Sequence, residues 1–359
     1  MESSESSLSH GTCPLEEFKV KLRMSFRSYV RRPSELHFLS AIQAVERAIV
    51  GVQEGCLTNY EICLGSLDGG KVSSIVAAGI DCLELILEFV AGHNRLNMVK
   101  RHIQSLVACL FNVTLHLQGP KIFYGYVDST KDYENPDSGS VILMSIEVLT
   151  RISGKKSLFH IDASHIAQSL RIPGALFQNF LHLPIFENAV DQKFSMELYN
   201  ACCRLLCTVL KHHKRETQQC LALLEDSVSV LLQCLEIVNI DSVTRKDYFA
   251  WEVQEAVMCA SSLRRVYEEV RQQKDVFGCS SFQFLSRYIW VYCGLGPSRN
   301  GIKREIDEAL RPGVYALIDS CSTDDLQLLH TLFGEGPCRS TLASLQHDYK
   351  LHFQFEGKV

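Results

Sequence analysis

The chain has 359 residues, 46% of them hydrophobic and 21% charged, and a net charge of −5. That content fills a large buried core and excludes bulk disorder, and the length fits about two domain-sized units or one elongated repeat stack. A net negative chain is not a dedicated nucleic-acid-binding domain, which neutralises phosphates with excess Lys and Arg, so any RNA contact has to be a local patch.

Fifteen cysteines are scattered through apolar patterns, as at Cys82, Cys109, Cys202, Cys220, Cys234 and Cys259. They lack a framework spacing and read as small buried hydrophobes in a reducing compartment. Residues 1–13 hold no signal-peptide-like apolar stretch, and no apolar run is long enough to span a bilayer, so no membrane contact is expected.

In chain order, residues 1–13 read as a disordered, Ser- and Glu-rich tail. An N-terminal helical region follows over 14–117. Leu15, Phe18, Leu22, Phe26 and Tyr29 share one helical face, and Leu36, Leu39, Ile42, Val45 and Ile49 repeat the pattern after Pro33. Beyond the glycine-rich break at 65–70 come helices over about 72–91 and 95–117. Residues 118–139, with Gly119-Pro120 and a polar Asp/Asn/Ser/Gly/Pro mixture, predict an exposed loop.

A C-terminal helical domain is expected over 140–359. Its helices are predicted at 140–153 and 162–171, the latter stopped at Ile172-Pro173-Gly174. Two long helices follow, marked by Leu198 to Val209 and Cys220 to Leu235. The short basic link Lys211 to Arg215 favours an antiparallel hairpin between them. Further helices are predicted at 247–274, 280–293, 302–320, 323–333 with Thr323 as N-cap, and 338–353. With no strand alternation anywhere, the fold class is all-α, an irregular α-solenoid or helical-repeat-like stack of antiparallel helices, although no fixed period is present.

Catalytic templates find little. Walker A, G-x-S-x-G and H-E-x-x-H motifs are missing. Gly294-Leu295-Gly296 with Gly301 echoes a dinucleotide loop but follows no strand, so it reads as a turn. Cys203 and Cys207 could share a metal but sit in core-like surroundings. His160, Asp162 and His165 fit a capped helix start as well as a catalytic group. A non-enzymatic protein is therefore expected, with no cofactor, metal or small-molecule substrate. Two basic clusters stand out: Arg23, Arg27 and Arg31, spaced one helical turn apart, and Lys211, Lys214 and Arg215. Each has two readings, a solvated face or a contact to RNA or another partner.

The last fifty residues carry a more specific pattern. Leu310-Arg311-Pro312-Gly313-Val314-Tyr315-Ala316-Leu317-Ile318-Asp319 is followed by Leu326, Leu329 and Leu332. Arg339, Leu342 and Leu345 come next, then Asp348-Tyr349-Lys350. This resembles the C-terminal domain of the unhealthy ribosome biogenesis protein 2 (nucleolar preribosome-associated) family, most clearly over 306–359. The resemblance implies a scaffold in the nucleolus and nucleus, acting in early large-subunit (pre-60S) assembly and rRNA processing. It implies as partners ribosome assembly factors that include a DEAD-box helicase, with pre-rRNA an open further contact. It also implies that relatives are much longer. The other reading is a general helical-repeat protein-interaction adaptor with no ribosomal role.

Physically, the same residues read as structural. Pro312-Gly313 should kink or restart its helix, since proline removes a donor and clashes backwards. Tyr315, Leu317 and Ile318 are expected to pack inward. Asp319 falls late in its helix, where the dipole disfavours a carboxylate, so a basic partner is expected. Tyr349 is expected to dock the last helix.

Overall fold

The structure, a computed structural model, describes residues 24–31, 36–46, 79–88, 96–116, 138–155, 160–178, 180, 192–238 and 251–353. The expected tail at 1–13, nearly all of the loop at 118–139, and Arg23 lie outside the described residues. The chain divides into two compact units, 1–106 with 131–136, and 107–130 with 137–359.

In the first unit, residues 24–30, 36–46 and 79–88 are helical. Phe38, Ala41, Ile42 and Val45 are buried along one stretch, and Ile80, Leu83 and Leu87 along another. These are the three-to-four spacings that place one apolar stripe inward. Helix α1 (Leu96–His116) begins in this unit, where His102 Nδ1 lies 2.7 Å from the Glu46 carboxylate.

The second unit contains α2 (Ser138–Ser153), α3 (Ala163–Phe177), α4 (Gln192–His212), α5 (Lys214–Gln218), α6 (Leu221–Cys234) and α7 (Val253–Gln272). It continues with α8 (Lys274–Tyr292), α9 (Arg304–Ser320), α10 (Thr323–Leu332) and α11 (Pro337–Asp348), closed by a π-helical turn at Tyr349–Phe353. Helix α2 packs on α4, α4 on α7 and α7 on α9, while α3 packs on α6, α6 on α8 and α8 on α10. Within the first row neighbouring helices run parallel. Glu147 meets Arg204 while Ser153 meets His213, and Arg264 meets Gly313 while Arg271 meets Asp319. The link between α4 and α6 holds the five-residue α5.

Three local expectations are corrected. Helix α3 does not stop at Ile172-Pro173-Gly174; it continues to Phe177 with Pro173 inside it. Proline removes the amide donor to the carbonyl four residues behind it, and the Ser227 hydroxyl of α6 donates to the next carbonyl along, Leu170 O. The neighbouring helix thus bonds directly to the backbone beside the proline. Pro312 likewise lies inside α9, which neither ends nor restarts there. Third, the N-cap of α10 is Ser322, not Thr323. Its hydroxyl accepts from Asp325 N at 3.1 Å and the Asp325 carboxylate accepts from Ser322 N at 2.9 Å, a closed capping box. Asp162 caps α3 in the same way, accepting from His165 N at 3.0 Å.

Gly313 lies where α9 comes close to the backbone of α7. A Cβ there would lie 3.0 Å from both the Cα and the carbonyl oxygen of Arg264. The core between the rows is aromatic, with the Phe177 ring 5.6 Å from Tyr199 and the Phe180 ring 5.1 Å from Trp251. Such pairs contribute beyond their buried area. Among the described residues no helix is long and apolar enough to cross a membrane.

Candidate functional site

The C-terminal motif residues assemble into two charge clusters that clasp α11 and the terminal turn. In the first, Asp307 is buried. It accepts from the Tyr288 hydroxyl of α8 and from the Arg311 guanidinium one turn further along α9. Arg311 also lies 3.6 Å from Asp348 at the end of α11 and 5.9 Å from the Tyr292 ring centre. Burial, and then the Asp307 charge, push the Tyr288 phenol well above its ordinary value. It therefore stays protonated as a donor at neutral pH.

The second cluster centres on Asp319. Arg271 Nε of α7 lies 2.7 Å from one carboxylate oxygen, and the Tyr349 hydroxyl donates to the other at 2.6 Å. Burial alone would raise the Asp319 carboxyl, but the hydrogen bonds from Tyr349 and Arg271 prevail and hold it below the usual carboxylate range. The Arg271 guanidinium also sits 4.9 Å from the Phe353 ring centre, and Tyr315 lies 6.3 Å from Tyr349. Leu317 and Ile318 are buried, Pro312 and Tyr315 are half-buried, and Lys350 is exposed. Charged groups of α7, α9 and α11 thus meet here, joined by the Tyr349 hydroxyl of the terminal turn. A cleft of about 640 Å³ lined by Tyr292, Arg304, Glu308 and Arg311 adjoins them. Its charges are already matched, Arg304 with Glu308 and Arg311 with Asp307.

The glycine-rich turn has an occupant of its own. Gly294 and Gly301 take positive φ values of 72° and 70°, which glycine adopts freely. The loop between them folds over the buried Glu236 at the end of α6. Ser298 N donates to its carboxylate at 3.3 Å, and a Cβ on Gly296 would collide with that carboxylate. Burial raises the Glu236 carboxyl, while the amides of Ser298 and Gly301 oppose the rise. The group held by this loop is the chain's own carboxyl, that of Glu236.

Cys202 and Cys203 are buried free thiols. Burial pushes the Cys207 thiol up to about 12, away from a reactive thiolate. Among the described residues no three His, Cys, Asp or Glu side chains group to hold a metal. Of the basic clusters, Arg27 and Arg31 are exposed, and Arg27 lies 3.9 Å from Glu88. Lys211 and Arg215 are exposed and Lys214 is half-buried, around the junction of α4 and α5.

A model of the Urb2/Npa2 family matches residues 143–358, well over half of the chain. The chain belongs to the Urb2/Npa2 family. The match takes in both charge clusters and both rows of helices, and so extends far upstream of the C-terminal motif. No curated protein and no solved structure gives a match. The Urb2/Npa2 family is associated with ribosome biogenesis, and that association implies a nuclear location. Several functional-looking residues were invisible to sequence reading. Asp307 and Arg271 bear no motif signal, and only the fold brings Arg271 within reach of a carboxylate 48 positions away.

Proposed function

We propose that this Urb2/Npa2 chain is a non-enzymatic scaffold of early large-subunit assembly and rRNA processing, working in the nucleolus. Its two rows of helices form an irregular α-solenoid, whose long exposed flanks hold ribosome assembly factors, a DEAD-box helicase among them, with pre-rRNA as a further contact. The observation that carries this reading is the family match across residues 143–358, the stretch that builds the stacked rows. The C-terminal charge clusters support it, because every carboxylate in them is engaged in holding helices together. Solenoids bind through extended surfaces rather than through one enclosed pocket.

Affinity purification of the tagged chain, with mass spectrometry and sequencing of bound RNA, tests this reading. Recovery of early large-subunit factors with precursor rRNA is the expected result. A folded, soluble sample that recovers neither would refute the assembly role and leave a general adaptor.

A further inference from the structure

The fold brings together two basic helix ends that lie far apart in sequence. The His213 Nε2 atom lies 2.9 Å from Ser153 O, and a Cβ on Gly154 would lie 3.6 Å from the Thr208 methyl. The C-termini of α2 and α4 therefore end side by side. Arg151 and Lys155 come from the first end, and Lys211, Lys214 and Arg215 from the second and from α5. Among the described residues, Lys155, Lys211, Lys214 and Arg215 make no ion pair. We infer that these paired helix ends form a binding surface for the phosphate backbone of structured RNA.

The plain alternative is that these cations only complement the two helix dipoles. Each C-terminus carries roughly −0.5 of a charge, so two ends account for about one cation. Glu216 on α5 removes one more. Of the four cations that make no ion pair roughly two remain unbalanced, in a chain whose net charge is −5. The excess is local, as a phosphate-binding patch requires.

The chemistry of the patch selects the partner. Its apolar residues, Ile152, Val209 and Leu210, are all buried. A protein interface needs exposed apolar or aromatic anchors, and the described residues 151–155 and 208–217 expose none. They also contain no Phe, Tyr or Trp on which single-stranded bases could stack. What remains is charge for a backbone, which suits duplex or folded RNA recognised by shape. The inference rests on the proposed assembly role only for which RNA is bound in the cell.

The test is fluorescence anisotropy of the purified chain with a labelled RNA hairpin across a salt series. Four phosphate contacts give a log–log salt slope near −3.6, or on the order of a 100-fold loss from 50 to 200 mM salt. The variant Lys155→Glu/Lys211→Glu/Lys214→Glu/Arg215→Glu is expected to lose more than about tenfold in affinity and to flatten the slope by about three to four. Should charge reversal disturb folding, the Gln variant at the same four positions is expected to flatten the slope equally. Arg27→Glu/Arg31→Glu is expected to change neither quantity. Unchanged affinity and slope in a folded quadruple variant would overturn the inference, as would tighter binding of a poly-glutamate peptide than of the hairpin. Loss of assembly factors in the purification with RNA binding intact would instead count against the assembly role alone.

Discussion

Replacing Gly313 by Ala tests whether the α7–α9 contact is set by backbone approach. The added Cβ would meet the Cα and the carbonyl oxygen of Arg264, both at 3.0 Å. Ordinary contacts between such atoms lie near 3.5–4.0 Å, and backbone atoms cannot rotate aside. The helices must separate by several tenths of an ångström. That loosens the layer formed by Leu263, Tyr267, Leu310 and Leu317, all buried. Overpacking of this kind costs about 1–3 kcal/mol, and Ala in place of Gly within a helix returns about 0.5–1 kcal/mol. The net loss is about 0–2.5 kcal/mol, or up to about 10 °C in Tm for a unit of this size. Thermal unfolding followed by far-UV circular dichroism measures it. Gly174→Ala is the matched control. Its nearest neighbour outside its own helix is Ser227 Oγ at 4.0 Å, so helix propensity dominates and Tm is expected to rise. A Gly313→Ala variant that rises above the wild-type Tm, as Gly174→Ala is expected to, would refute the close-approach argument.

Three further outcomes follow from the polar contacts. Ser227→Ala removes the inter-helix bond to Leu170 O, and urea titration should show a loss of about 0.5–1.5 kcal/mol. Tyr349→Phe removes one of the two bonds that depress the Asp319 carboxyl. A depressed acid stabilises the fold above its unfolded value of about 3.9 and loses that contribution as pH falls through the folded value. The urea midpoint gap between wild type and variant should therefore be largest near neutrality and shrink below about pH 4. Glu236 has the opposite sign. Its raised carboxyl favours the protonated folded state, so its contribution is present in acid and lost as pH rises through the folded value. Glu236→Gln should match wild type near pH 4 and exceed it near pH 8, about as far as one buried charge allows; equal midpoints at both pH values would contradict the burial argument.

Helix existence was legible because it depends on local periodicity. Leu205, Leu206 and Val209 declare an inward stripe whatever lies opposite them. The fate of Pro173 and Pro312 was not legible, because whether a helix runs on through a proline depends on what packs against it. Ser227 lies 57 positions from the carbonyl it serves, beyond the reach of any local rule. The cap of α10 was misplaced by one residue because Ser322 and Thr323 are both competent caps, and the reciprocal bond with Asp325 decides between them. At the C-terminus the need for a partner at Asp319 could be read from helix polarity, but its identity as Arg271 could not. The basic link was visible as Lys211, Lys214 and Arg215. Its union with Arg151 and Lys155 depends on α2 and α4 running in the same direction.

The bond from Ser227 to the backbone beside Pro173 also bears on how the Urb2/Npa2 fold can drift. Its acceptor is a main-chain oxygen, Leu170 O, present whatever side chain stands at that position. Leu170 can therefore exchange for another apolar residue without losing the bond, whereas position 227 needs a hydroxyl to keep it. The constraint is one-sided, and its trace should be a retained hydroxyl facing a variable partner.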